Sequence, residues 1–182
     1  MQIVQTEFPE VLILKPKVFE DDRGFFYESY NQKMFSEMLG IHCDFVQDNH
    51  SRSAQHVLRG LHYQIKHAQG KLVRVVVGEV YDVVVDLRGA SSSLGKWIGV
   101  RLSAANKHQL WVPAGFAHGF LVLSKHAEVL YKTTDFYAPE YERCIRWDDP
   151  LLAISWPLEK GQQPIISEKD GGGLLLEDTE FF

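Results

Sequence analysis

Residues 71–87 constrain the fold of this chain more than any other stretch. Lys71 to Val77 alternates, with Leu72, Arg74 and Val76 on one face and Val73, Val75 and Val77 on the other. Gly78-Glu79 is a turn signal, and Val80 to Leu87 reads as the next strand. Val and Tyr at period two predict β-structure for both segments. Apolar side chains on both faces require cover on both sides, as in a sheet sandwich or an edge buried by another subunit. Further strands are expected at Val11 to Val18 (interrupted by Pro16), Phe25 to Tyr30, Trp97 to Leu102 and Gln109 to Val112. Gly119 to Leu123, Glu128 to Thr133 and Cys144 to Trp147 complete the set.

Helix signals are few. Asn31 caps a predicted helix over Gln32 to Leu39 that stops at Gly40, with Met34, Phe35, Met38 and Leu39 as its apolar stripe. Short turns of helix are expected in Pro150 to Pro157 and in Ser167 to Asp170, and Gly171-Gly172-Gly173 breaks the chain before a short tail. Short strands with a turn every ~8–12 residues predict a mainly β jelly-roll barrel or sandwich. No repeat, low-complexity tract or long linker divides residues 1–182, so one domain is expected.

Composition narrows the function. Hydrophobic residues make up 45% and charged residues 24%, which excludes wholesale disorder. Lys plus Arg is 19 against 24 Asp plus Glu, a net charge of −5, so binding to nucleic acid through bulk charge is not expected. An anionic ligand must instead be held by locally placed cations. No apolar run approaches ~18 residues, so no membrane span is expected. Met1 to Glu10 has neither a basic region nor a long apolar run, and Cys43 and Cys144 have no CxxC spacing. These features read as reduced thiols in a cytoplasmic protein without a signal peptide.

Eight histidines in a β-rich chain raise the question of metal. Arg59-Gly60-Leu61-His62-Tyr63-Gln64 and Trp111-Val112-Pro113-Ala114-Gly115-Phe116-Ala117-His118-Gly119 resemble the two half-motifs of the cupin fold. Metal-binding cupins use His-x-His, a Glu a few residues on, and a later His. Here Gln64 stands at the second His, and Ala68 or Gln69 at the Glu. Side-chain amides are poor transition-metal ligands beside imidazole and carboxylate, so the pocket is read as metal-free. His62 is then a candidate base, with Asp170 a candidate partner for its other nitrogen. Taken singly, both His62 and His118 also fit structural histidines.

Lys71 opens an otherwise apolar strand, where it either ends the strand in solvent or pairs with negative charge inside the barrel. Tyr131 either fills the barrel or donates a proton to a developing carbanion. Arg23, Arg59, Lys71 and Lys169 are solvated surface residues one by one, and a phosphate clamp if they converge.

Together these segments closely resemble the dTDP-4-dehydrorhamnose 3,5-epimerase family. The resemblance runs through Asp22-Arg23-Gly24-Phe25-Phe26, Gln47-Asp48-Asn49-His50-Ser51 and Leu58 to Gln64. It continues through Gly70-Lys71-Leu72-Val73-Arg74-Val75, Trp111 to Phe120, Tyr131-Lys132 and Ser167-Glu168-Lys169-Asp170. It implies a cupin-type jelly roll and epimerisation at C3 and C5 of a dTDP-4-keto-6-deoxy sugar through enolates, with no cofactor. It implies His62 as base, paired with Asp170, Lys71 at the enolate oxygen and Tyr131 as proton donor. Arg23, Glu28, Gln47, Asp48, Asn49, Arg59, His118, Glu142 and Lys169 are the implied substrate contacts, with Phe26 and Tyr137 against the thymine or sugar. It further implies a homodimer in which an N-terminal strand crosses to the partner, placing Arg23 and Glu28 in the neighbouring site.

Three other readings remain open from sequence. A mono-epimerase would share the base, acid and diphosphate clamp. A metal-dependent cupin oxygenase is disfavoured by Gln64 and Ala68/Gln69, and a non-catalytic sugar-nucleotide binder by the joint presence of His62, Lys71, Tyr131 and Asp170.

Overall fold

The computed structural model describes residues 1–40 and 42–182. In chain order its elements are β1 (Gln2–Gln5), β2 (Leu12–Lys15), β3 (Phe19–Asp21), β4 (Gly24–Phe26), α1 (Gln32–Leu39), β5 (Gln47–Ala54), β6 (Leu58–Gln64), β7 (Lys71–Val77), β8 (Glu79–Asp86), β9 (Trp97–Ser103), β10 (Gln109–Val112), β11 (Phe116–Val122), β12 (His126–Thr133), β13 (Glu142–Cys144) and α2 (Glu168–Gly171). A six-stranded sheet runs β1-β2-β10-β7-β12-β5 and a five-stranded sheet runs β13-β6-β11-β8-β9. The named strand pairs are all antiparallel. The two sheets face each other across a core that includes Val73, Val75, Val80, Val84, Leu102, Leu110, Phe120 and Val129. This is the cupin-like jelly roll expected.

β7 and β8 are consecutive in sequence but lie in different sheets. Gly78 makes the corner between them. Its φ is +76°, and a Cβ there would sit 2.1 Å from the carbonyl oxygen of His126, so a side chain is excluded both by backbone conformation and by space.

The outer faces explain why so many strands are apolar on both sides. Helix α1 lies on the six-stranded sheet, burying Phe35 against Leu14, Leu72 and Trp111. At eight residues it is too short to persist alone, so packing holds it. Burying one such aromatic side chain stabilises by roughly 1.5–3 kcal/mol. Asn31 Oδ1 accepts from the Met34 amide at 3.1 Å, and Gly40 ends the helix in the left-handed region at φ +65°, as the sequence predicts. The five-stranded sheet is covered by the C-terminal segment, with Leu152, Ile154, Trp156 and Leu176 against Leu61, Val83 and Val85.

Some boundaries differ from expectation. The stretch Val11 to Val18 gives only β2, which stops before Pro16, and the chain then enters the β3–β4 hairpin. Of Phe25 to Tyr30, only Phe25 and Phe26 pair. Beyond them Tyr30 packs edge-on against Phe45, and the Ser29 carbonyl accepts from Gln109 Nε2. β13 lies earlier than Cys144 to Trp147, because Ile145 leaves β13 to bridge Leu174. Residues 150–152 form turns, and the 150–157 stretch contains no helix. No helix of the chain, among the described residues, is long and apolar enough to cross a membrane.

Candidate active site

The strand alternation that fills the core also builds the site. Along β7 the inward side chains run from Val75 and Val73 to Lys71, and along β12 from Ala127 and Val129 to Tyr131. Beyond the apolar residues the sandwich opens into a cavity of about 330 Å³. That volume lies within the usual range for small-molecule sites.

His62 projects into this cavity from β6, opposite His118 of β11. Gly60, just upstream, has φ +118°, and a Cβ on it would lie 2.6 Å from the Gly119 Cα. Only glycine allows the two strands to approach this closely beside the two histidines. Asp170 reaches His62 from α2, with Oδ1 2.7 Å from Nε2. The Ser167 hydroxyl caps that helix by accepting from the Asp170 amide at 3.1 Å. Burial by itself would raise the Asp170 carboxyl, but the bond and charge of His62, with the bonds to Gly60 and Ser167, together outweigh it and hold the group below its ordinary range. An ionised carboxylate can only accept, so Nε2 carries the proton and Nδ1 keeps the free lone pair.

Tyr131 projects from the opposite sheet, so the imidazole and the phenol face each other across the cavity. Burial raises the phenol above its ordinary range despite the counteracting charge of Arg59, and it stays protonated at neutral pH. Lys71 is 8% exposed and donates from Nζ to the His62 carbonyl at 3.3 Å. Burial pulls its ammonium down to about 8, against the opposing pull of Asp82 and Glu142. A half-satisfied buried ammonium beside His62 can stabilise negative charge that develops in the cavity.

The mouth is polar. Arg59 lies there and donates to Ser53 Oγ at 3.0 Å. Gln47 and Asn49 point inward from β5, bonded to each other at 3.0 Å. The Tyr137 hydroxyl donates to Glu142 Oε2 at 2.6 Å, and Lys169 pairs with the same carboxylate. The Lys169 pair and the Tyr137 bond overcome the effect of burial on Glu142 and keep its carboxyl below the ordinary range.

Four of the implied contacts lie elsewhere. Asp48 sits at the outward parity of β5 and accepts from Lys132 Nζ at 2.9 Å on the outer face, so it is not brought to the cavity. Period two forbids neighbours Asp48 and Asn49 from sharing a face. Arg23 and Phe26 lie on the β3–β4 hairpin, and Glu28 just after it, away from this chain's own cavity. Arg23 pairs there with Asp21, and Glu28 accepts from Asn31.

Other residues escaped sequence reasoning. Asp82 is fully buried and holds His118 Nε2 at 2.8 Å. Its signal was a carboxylate at inward parity between Val80 and Val84. Ser51 lines the cavity with a buried hydroxyl that has no protein partner among the described residues. Cys144 lies against His62 and Asp170, where burial and the Asp170 charge push its thiol up to about 12. Gln64, at the place of a metal-binding His, is committed to a loop: it donates to the carbonyls of His67 and Phe136 and accepts from the Ala138 amide. That latch holds Tyr137 at the mouth.

The family model described as dTDP-4-dehydrorhamnose 3,5-epimerase matches residues 5–178. The chain belongs to this family. The dTDP-4-dehydrorhamnose 3,5-epimerase of Pseudomonas aeruginosa is 60% identical over 182 residues, covering 100% of this chain and 99% of that protein. The dTDP-6-deoxy-D-glucose-3,5-epimerase of Legionella pneumophila, solved with dTDP-4-keto-L-rhamnose, is 54% identical with a TM-score of 0.93, covering 97% of this chain and 93% of that one. A 3′-monoepimerase from Streptomyces bikiniensis, solved with dTDP-quinovose, is 30% identical with a TM-score of 0.89, covering 95% and 87%. In this epimerase family, therefore, the fold alone does not separate double from single epimerisation.

Proposed function

We propose that the chain is a dTDP-4-dehydrorhamnose 3,5-epimerase that converts dTDP-4-dehydro-6-deoxy-D-glucose to dTDP-4-dehydro-L-rhamnose. The observation that carries this reading is the opposed pair: an imidazole backed by a carboxylate on one sheet, and a protonated phenol on the other. The protons at C3 and C5 are both α to the C4 ketone and are acidified by enolate formation. His62 Nδ1 takes the proton from one face, and Lys71 stabilises the enolate oxygen. Tyr131 delivers a proton to the opposite face, and solvent restores both groups before the second carbon reacts. His118, held by Asp82, shares the His62 wall, and Gln47, Asn49 and Glu142 line the route to the mouth. Arg59 and Lys169 lie where they would hold the diphosphate, and the half-exposed ring of Tyr137 offers the thymine a stacking surface.

The active unit we propose is a homodimer. The β3–β4 hairpin exposes Phe19, Phe25 and Phe26 by 55, 61 and 72%, far more than isolated surface phenylalanines need. Insertion into a partner would cover these rings and bring Arg23, Phe26 and Glu28 to the partner's site. A fully active species sedimenting as a monomer would overturn this. Two free thiols, Cys43 and Cys144, support a cytoplasmic setting.

Proton NMR of the substrate with enzyme in heavy water tests the reaction. Deuterium is expected at both C3 and C5. Deuterium at one carbon would make the chain a mono-epimerase, and none at either would overturn the assignment.

A further inference from the structure

Cys144 takes no part in the chemistry above, yet it stands beside the base. It pairs with His62 across β13 and β6. The adjacent pair, Leu61 and Ile145, exchanges both backbone hydrogen bonds, at 3.2 and 3.0 Å. Cys144 and His62 therefore form a non-hydrogen-bonded pair, the closer of the two antiparallel geometries, with both side chains on one face. Asp170 approaches the same point from α2. A ring nitrogen of His62, Cys144 Sγ and a carboxylate oxygen of Asp170 all lie within 4.8 Å of one another.

One imidazole, one thiolate and one carboxylate form a donor set suited to a borderline-soft divalent ion. A tetrahedral zinc ion with bonds of ~2.0–2.3 Å holds its donor atoms roughly 3.3–3.6 Å apart, within reach of side-chain rotation from this arrangement. We propose that His62, Cys144 and Asp170 form an inhibitory site for zinc or a chemically similar divalent cation, with the fourth position facing the cavity. Binding replaces the thiol proton, which leaves to solvent, with the metal: Cys–SH plus M²⁺ gives Cys–S–M⁺ plus H⁺. Nε2, the ring nitrogen that faces Asp170, binds the ion together with the carboxylate, its proton passes through solvent to Nδ1, and the free lone pair that makes His62 a base is lost. This site shares only His62 with the cupin pattern that continues through Gln64 and His118. Its binding half stands on geometry alone, and its inhibitory half rests on His62 being the base.

Cobalt(II), added to the purified full chain, tests binding without reference to turnover. One equivalent per chain should produce a thiolate-to-cobalt charge-transfer band that is absent in Cys144→Ser and retained in Cys43→Ser. No band in the unmodified chain, or an unchanged band in Cys144→Ser, overturns the site. Zinc should inhibit the epimerase reaction, with the half-inhibitory concentration raised by about tenfold or more in Cys144→Ala and in Cys144→Ser. Metal-free turnover of both variants should stay within about twofold of the unmodified chain. Equal zinc sensitivity with normal metal-free turnover overturns the inhibitory role. Should the chain show no epimerase activity at all, the cobalt band still decides the site.

Discussion

β5 and β7 flank the same strand, β12, in the same sheet, and both turn alternate side chains into the sandwich. β7 sends in Val75 and Val73 and only then Lys71, while β5 sends in Gln47, Asn49, Ser51 and Ser53. The backbone hydrogen bonds to β12 place both strands equally well. Side chains then decide what each does: β7 fills the core up to the point where Lys71 enters the cavity, and β5 lines the cavity with Gln47, Asn49 and Ser51. Backbone pairing against β12 leaves the inward face of β5 free for chemistry.

Substitutions along the two strands should separate these roles. The largest effect is expected where β7 passes from core to site. Lys71→Met should lower kcat by about 10²–10³, the usual cost of removing one charge-stabilising donor. The same change should not destabilise the fold, because it removes a buried ammonium. With the ammonium pulled down to about 8 from an ordinary 10.5, the folded state binds fewer protons than the unfolded chain between those values. The penalty is complete below about pH 8 and fades as pH rises toward the unfolded value, so the stability gain in Lys71→Met is at most about 3 kcal/mol, measured near neutrality. In the unmodified enzyme kcat/KM should fall as pH rises through about 8, and Lys71→Met should lack that limb.

One step further into the core, Val73→Ala should cost about 2 kcal/mol in denaturant unfolding while leaving kcat at low temperature within about twofold. On β5 the pattern should invert. Asn49→Ala should raise KM by about tenfold through one lost polar contact, with unfolding free energy unchanged to within about 0.5 kcal/mol. The smallest effect is expected at Asp48, whose exposed pair with Lys132 is on the outer face. Asp48→Ala should change neither KM nor stability measurably. A tenfold rise in KM there would place the carboxylate at the substrate and contradict the register of β5.

The same contrast explains what was legible in the sequence. β7 and β10 match the expected bounds, because their core and outer-face side chains are both apolar and announce the strand. α1 was legible through Asn31, its apolar stripe and Gly40. β5 was not expected as a strand, because Gln-Asp-Asn-His-Ser-Arg-Ser-Ala carries no hydrophobic alternation: its inward face meets a cavity and its outward face meets water. The segment still drew attention as a motif, and of its residues the structure turns Gln47 and Asn49 into the cavity and Asp48 to the outer face. His62, Lys71 and Tyr131 were open to more than one reading singly and became a site only through resemblance. Their convergence depends on which sheet each strand joins, and local sequence does not encode that. Asp82 and Cys144 were missed for the same reason, since each gains meaning only from a neighbouring strand.

The central claim is that base and acid work from opposite sheets. The direct measurement follows deuterium incorporation and product configuration by NMR in heavy water for Tyr131→Phe. The account predicts that His62 still removes protons and returns deuterium to the same face, so label enters with configuration retained and little inverted product forms. Inverted product at a rate near that of the unmodified enzyme would contradict it.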